Sequence, residues 1–344
     1  MQYPYYNGNH NGNPYWDNFS DMNGFIVRRS KEKKDIRRLG HCVGGAVLLY
    51  LALQNIYSVI LGIFGFGELY LTNELFRKGT EVLLIIFSIL PSFMLFGSRM
   101  KKISGVTEPL VLSKPKKPLS VFLAFFAGMG ACMVANYVTA FFSTFMAIFG
   151  YSLSSPDVGL PTGVTGIILT VVQVVFVAAL VEELSLRGYV MGNLRPYGNG
   201  FAIFISSLIF ALIHGNLVQA PFALVAGFAI GYFSIRTETI WTGILIHAGN
   251  NLFSVALSYI GEFFGDDVLV AAYSASNLFF IVFGLVCFAV FRRIMGKDNS
   301  QQVSDLTNGE KIKAFLSSPA IIAVIVIMLI ITMDYIAPIE QAVS

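Results

Sequence analysis

VTGIILTVVQVVFVAALVEELSLR, residues 164–187, runs eighteen residues without a charge and then sets Glu182, Glu183 and Arg187 within six positions. Roughly 20 apolar residues is the length of helix that crosses a bilayer's hydrocarbon core, so this stretch reads as a membrane span with ionisable groups at one end. The reading extends to the rest of the chain. Comparable apolar runs begin near Cys42, Val82, Leu119, Phe201, Ala220, Ile240, Ala271 and Pro319. Of the 344 residues, 55% are hydrophobic and 12% charged, too few charges to coat a soluble protein of this size. The expected fold is an all-α, polytopic integral membrane helical bundle of about 8–9 transmembrane helices, with links too short to hold a separate soluble domain.

Orientation is read from the cations. The basic cluster from Arg28 to Arg38 precedes the first run, which places the N-terminus in the cytoplasm. The links that then fall on the cytoplasmic side, Arg99 to Pro118, Arg195 to Gly200, Arg236 to Thr239 and Arg292 to Lys313, all carry Lys or Arg. The links Tyr151 to Gly163 and Gly261 to Asp267, on the other side, carry acidic residues and neither Lys nor Arg. An odd number of crossings puts the C-terminus outside. Met1 to Gly24 has no apolar core of a signal peptide, and residues 1–39 read as a disordered, then basic, cytoplasmic segment. The terminal Gln341-Ala-Val-Ser344 has no cysteine, so the chain is not expected to be prenylated itself. Cys42, Cys132 and Cys287 lie in apolar runs without CxxC spacing and read as small buried hydrophobes. A net charge of +3 gives no footprint for nucleic acid.

Between Leu119 and Val181 the only charged residue is Asp157, so the Glu182–Glu183 pair stands out. Ionisable groups in a spanning helix are costly and are a functional hypothesis by default. Glu183 and Arg187 are i and i+4 on one helix face and suit an ion pair. Glu182 is about 140° from Arg187 and is left for chemistry. Two histidines, His214 and His247, lie inside apolar runs. Counted from the Arg195 turn at about 1.5 Å per residue, Glu182 and His214 fall within roughly 6 Å of each other in depth, and His247 within a turn or two of the same level. His247 and Asn251 share a face, as do Phe210 and His214. Carboxylates, imidazoles and a carboxamide at one depth are what attack of water on a peptide bond needs: a base, a proton carrier and an oxyanion donor. The runs Phe201–His214 and Ala220–Ile235 are short for a span, so the turn from Gly215 to Pro221 is expected within the protein, buried or lining a wet cavity.

Glu182-Glu-Leu-Ser-Leu-Arg187, Phe210-Ala-Leu-Ile-His214 and His247-Ala-Gly-Asn-Asn251 together resemble the EExxxR, FxxxH and HxxxN motifs of the CAAX-protease and bacteriocin-processing family, also called Abi proteins. The resemblance spans Ile167 to Tyr259, on consecutive helices. It implies that Glu182 activates water with His214, that His247 and Asn251 stabilise the oxyanion, and that Glu183 and Arg187 support them. If a divalent metal such as zinc takes part, its candidate ligands are Glu182, Glu183, His214 and His247. It further implies a catalytic core over residues 161–262, preceded by N-terminal transmembrane helices over 40–160 and followed by C-terminal ones over 263–344. The expected protein is a multi-pass cell-membrane endopeptidase whose partners are the bilayer and a peptide or membrane-tethered protein substrate. HExxH, GxGD and GxSG, the marks of other membrane proteases, are missing.

The plainer alternatives are specific. Glu183 and Arg187 alone fit a snorkelling helix end, and either histidine alone fits a packing role. Gln54, Asn55 and Asn136 read as polar contacts between helices, and Asn250 as such a contact or a part of the cavity. The Arg28–Arg38 cluster is an orientation signal that could also meet anionic lipid. Competing functions for the same residues are a non-catalytic scaffold or bacteriocin immunity protein, and a proton-coupled transporter.

Overall fold

Every apolar run folds as a helix, and in the computed structural model the described residues are 14–108, 112, 114, 115, 117–156, 159–296 and 304–339. The first thirteen residues, Asp157 and Gln341–Ser344 lie outside them. The helices are α1 (Pro14–Ile63), a short α2 (Gly67–Thr72), α3 (Glu74–Ser104), α4 (Pro118–Ile148), α5 (Val164–Tyr197), α6 (Asn199–Ile213), α7 (Ala220–Thr237), α8 (Ile240–Phe264), α9 (Asp266–Met295), α10 (Asn308–Leu316) and α11 (Pro319–Met333). Proline in the first turn of α4, α7 and α11 presets the helical φ where no N–H is needed.

Among the described residues, seven helices are long and apolar enough to cross a membrane, or eight when α10 and α11, bent by 76° at their junction, are taken as one span. The protein is therefore a multi-pass membrane protein. The expected ninth crossing is α6, whose 15 residues fall short of a full span.

Two departures from the sequence reading have local causes. Helix α1 starts at Pro14, so the end of the stretch expected to be disordered, Pro14 to Gly24, and the basic segment after it are helical. From Met22 to Arg38 this part is rich in Lys, Arg and Glu, which are good helix formers, and it extends a helix already nucleated by the apolar run. It also has a docking partner, because Arg29 and Lys33 both pair with Glu310 of α10, and Arg28 with Asp305 just before it. The amides expected to bridge helices bond within their own instead: Gln54 to the Tyr50 hydroxyl at 2.9 Å, Asn55 to the Leu51 carbonyl at 2.8 Å and Asn136 to the Met133 sulfur. Each finds an acceptor one turn back.

The buried apolar residues form two main clusters. One joins α1, α3, α5, α6, α10 and α11; the other joins α4, α8 and α9; α7 contributes to both. In the second, Gly130 of α4 and Gly284 of α9 let the backbones touch, since a Cβ on Gly130 would sit 2.7 Å from the Phe280 carbonyl and one on Gly284 2.8 Å from that of Phe126. Small residues at a close crossing are how apolar helices gain contact where lipid offers no hydrophobic drive. A two-stranded antiparallel patch, β1 (Tyr151–Leu153) with β2 (Ile336–Pro338), adds a strand pair to the all-helical expectation and returns the chain to where α4 ended.

Candidate active site

The middle of α5 is wound unevenly. Wide turns over Val171–Ala178 and Leu184–Met191 flank a regular α-turn, Ala179–Glu183, that presents both glutamates. Wide turns inside an α-helix are rare and frequently mark functional sites.

Glu183 and Arg187 are wholly buried, and the expected ion pair is present, with Arg187 Nη1 2.8 Å from Glu183 Oε1. Arg187 Nη2 donates to the Gly227 carbonyl of α7 at 3.2 Å, and its guanidinium lies 4.9 Å from the Phe210 ring centre. The same Glu183 oxygen meets His247 Nδ1 of α8 at 2.9 Å. That bond joins α5 to α8 and turns the other ring nitrogen, Nε2, toward Glu182, whose Oε2 is 3.8 Å away. At that distance the two do not hydrogen-bond directly. Glu182 retains 18% of its side-chain exposure while Glu183 has none, so the first is reachable and the second is structural.

His214 closes α6, and its Nδ1 bonds the Phe210 carbonyl at 2.7 Å, which leaves Nε2 unengaged. It lies within electrostatic reach of both Glu182 and His247. The Phe210 ring packs edge-on against both imidazoles, with centroids 4.9 and 5.5 Å apart. Asn251, one turn beyond His247, donates to the Val174 carbonyl in the first wide turn of α5 at 2.8 Å, which leaves its second amide hydrogen and its oxygen available. Glu182, Glu183, Arg187, His214 and His247 are thus gathered from α5, α6 and α8, while Asn251 is tied to the backbone beside them.

As a metal centre the four candidate ligands do not fit. Oε1 of Glu183 is shared by Arg187 and His247, and among the described residues no three His, Cys, Asp or Glu side chains are grouped to hold one ion. The turn from Gly215 to Pro221 is buried at its start, Gly215 and Asn216, and open at Gln219. Asn216, 1% exposed, donates to the His214 carbonyl and accepts from the Gln219 N–H, and Gly215 abuts Met328 and Ile331 of α11.

Three residues that sequence reading passes over support the site. Asn216 fastens the turn that carries His214. Ser234 and Gly243 lie behind Glu183: a Cβ on Gly243 would fall 2.6 Å from the Ser234 hydroxyl and 2.9 Å from Glu183 Oε2, so only glycine leaves room for that carboxylate. None belongs to a motif, and only the packing of α7 on α8 brings Ser234 and Gly243 together.

Residues 163–253 match the family model described as Type II CAAX prenyl endopeptidase Rce1-like. Over 139 residues the chain is 30% identical to "Putative membrane peptidase YdiL" of Bacillus subtilis (strain 168), covering 36% of this chain and 54% of that protein. The chain thus spans about half the length of the curated relative it matches. No solved structure matches it.

Proposed function

We propose that this membrane protein, whose residues 163–253 match the Rce1-like CAAX prenyl endopeptidase family model, hydrolyses a peptide bond of a membrane-associated peptide or protein. The observation that carries the proposal is the division of labour between adjacent carboxylates. Glu183 is neutralised by Arg187 and orients His247, while Glu182 stays reachable with the Nε2 atom of His247 3.8 Å away.

In the proposed reaction Glu182 takes a proton from a water that also donates to, or is held by, His214 Nε2. The water oxygen bonds the scissile carbonyl carbon, and the carbonyl electrons move onto oxygen beside His247 Nε2 and the free amide hydrogen of Asn251. The C–N bond then breaks as Glu182 returns its proton to the leaving amine. A base within one water of its target and preset donors at the developing oxyanion are the ordinary requirements of such hydrolysis. No step is routed through a metal. A cytoplasmic N-terminus, which the basic cluster from Arg28 to Arg38 supports, goes with a reaction near the cytoplasmic leaflet.

The purified full chain in lipid nanodiscs, given a quenched-fluorescent farnesylated peptide and assayed alongside a comparison of membrane peptidomes, tests this. Glu182→Ala and His214→Ala should each lower turnover by roughly 100-fold or more with the fold retained. Undiminished cleavage by Glu182→Ala would sink the proposal, as would membrane peptidomes that do not change when Glu182 is replaced.

A further inference from the structure

A cavity of about 1650 Å³ lies apart from the glutamate–histidine site, a vestibule at the basic end of the bundle between the first half of α1, the end of α3 and the α5–α6 turn. Seven Lys and Arg side chains line it, against three carboxylates. Those carboxylates are engaged: Asp305 pairs with Arg28 at 3.1 Å, Asp35 lies 3.8 Å from Arg38, and Glu32 accepts from the Ser304 hydroxyl and the Asp305 N–H. Lys31, Lys34, Arg37, Arg99 and Lys102 have no acidic partner among the described residues.

An orientation signal needs cations near a membrane edge; it does not need them to face one another. Here Lys31 and Lys34 on α1, with Arg99 and Lys102 on α3, line one concavity. Like charges three residues apart on one helix repel, and a concave wall of low dielectric focuses the field of all of them. Such a site favours an anion that spreads several negative oxygens among several donors, which is phosphate chemistry, with Arg37 and Arg99 able to bind bidentately. The floor of the vestibule identifies the source. It is made by Cys42, Ile103 and Pro319, where the apolar parts of α1, α3 and α11 meet the charged end, so the cations sit at headgroup level. Tyr197 and His41 add the ring surfaces, and the neighbouring cavity that shares Lys34 and Arg37 is itself lined mainly by Lys and Arg, with no apolar pocket for a peptide side chain among its lining residues.

We infer that this vestibule binds the phosphate headgroups of anionic phospholipids from the surrounding leaflet. The site is separate from the hydrolytic centre, and its occupancy does not depend on the protein being a peptidase.

The full chain is reconstituted in nanodiscs of phosphatidylcholine with phosphatidylglycerol, then examined by native mass spectrometry for retained lipid and by thermal unfolding. The wild type should retain phosphatidylglycerol in preference to phosphatidylcholine and melt higher with it. Arg99→Gln/Lys102→Gln, which spares the orientation cluster on α1, and Lys31→Gln/Lys34→Gln/Arg37→Gln should each lower that retention by roughly tenfold or more. Arg292→Gln/Arg293→Gln, at the end of α9 and outside the vestibule, should leave it unchanged. Equal retention by the vestibule variants, or equal loss in the α9 variant, overturns the inference. So does stabilisation by inorganic phosphate, or by a polyglutamate peptide, that matches the lipid's effect, since either would identify a soluble anion or an acidic segment as the occupant.

Discussion

A carboxylate and a guanidinium with no exposed side-chain surface, 2.8 Å apart, are held by more than their mutual attraction. Arg187 also engages the Gly227 carbonyl and the Phe210 ring, and Glu183 also engages His247. Removing one partner strands a buried charge, so Arg187→Ala should destabilise the protein by about 3–5 kcal/mol in denaturant titrations in detergent. Replacing both, as Glu183→Leu with Arg187→Met, should recover most of that stability while peptide hydrolysis stays lost, because His247 then has no partner to fix its ring. Gly243→Ala should cost about 1–3 kcal/mol by overpacking and should reduce turnover. Adding Ser234→Gly should relieve part of the stability loss, read by the same titrations; no relief would mean that the clash lies elsewhere. The Glu183–Arg187 pair was legible in the sequence because four-residue spacing is a local rule. Ser234, Gly243 and Asn216 were not, because what they do exists only where one helix or turn meets another.

Helices carry these side chains with different degrees of legibility. The apolar runs locate every long helix, since length and hydropathy alone set a span. The wide turns of α5 leave no trace in the periodicity, as one extra residue per turn is lost among residues that are apolar on all faces. The helical start of α1 was misread because composition near the N-terminus was judged by itself, whereas its partner, α10, lies more than 270 residues on. That partner is preset by a capping box, in which Thr307 accepts from the Glu310 N–H and Glu310 reaches back to the Thr307 N–H. Glu310→Ala removes the box and both ion pairs to α1. It should speed trypsin cleavage within residues 28–34 several-fold, and high salt should have a similar effect on the wild type, since exposed pairs are screened. Cleavage indifferent to both would show that apolar contacts, not charge, hold α1 down.

At the scale of the whole molecule, the candidate site residues lie where the two main apolar clusters meet, with α7 contributing to both. Glu182, Glu183 and His214 come from helices of the first cluster and His247 from a helix of the second, which also packs on α5 through Val255 and Tyr259 against Val175. The sequence indicated that these groups share a depth, but which helices become neighbours follows from packing that no single run encodes. The strand pair ties the end of α4, a helix of the second cluster, to the chain after α11, a helix of the first, with Ser152 opposite Ala337. Facing residues of an antiparallel pair have Cα atoms about 4.5–5.5 Å apart, inside the range a disulfide spans. Ser152→Cys with Ala337→Cys should therefore form an intramolecular bond on mild oxidation, seen as a shift in a non-reducing gel, with activity kept. Failure to cross-link would argue that the two ends part in the bilayer.

All three native thiols are free and buried. The unaltered chain is consequently almost silent to water-soluble maleimides, and any single cysteine added at an exposed position reports by itself, with no need to strip the others first. Lys31→Cys should then react only with reagent supplied from the inner compartment and Tyr151→Cys only with reagent from the outer one, so that sidedness becomes a two-tube experiment on the native background.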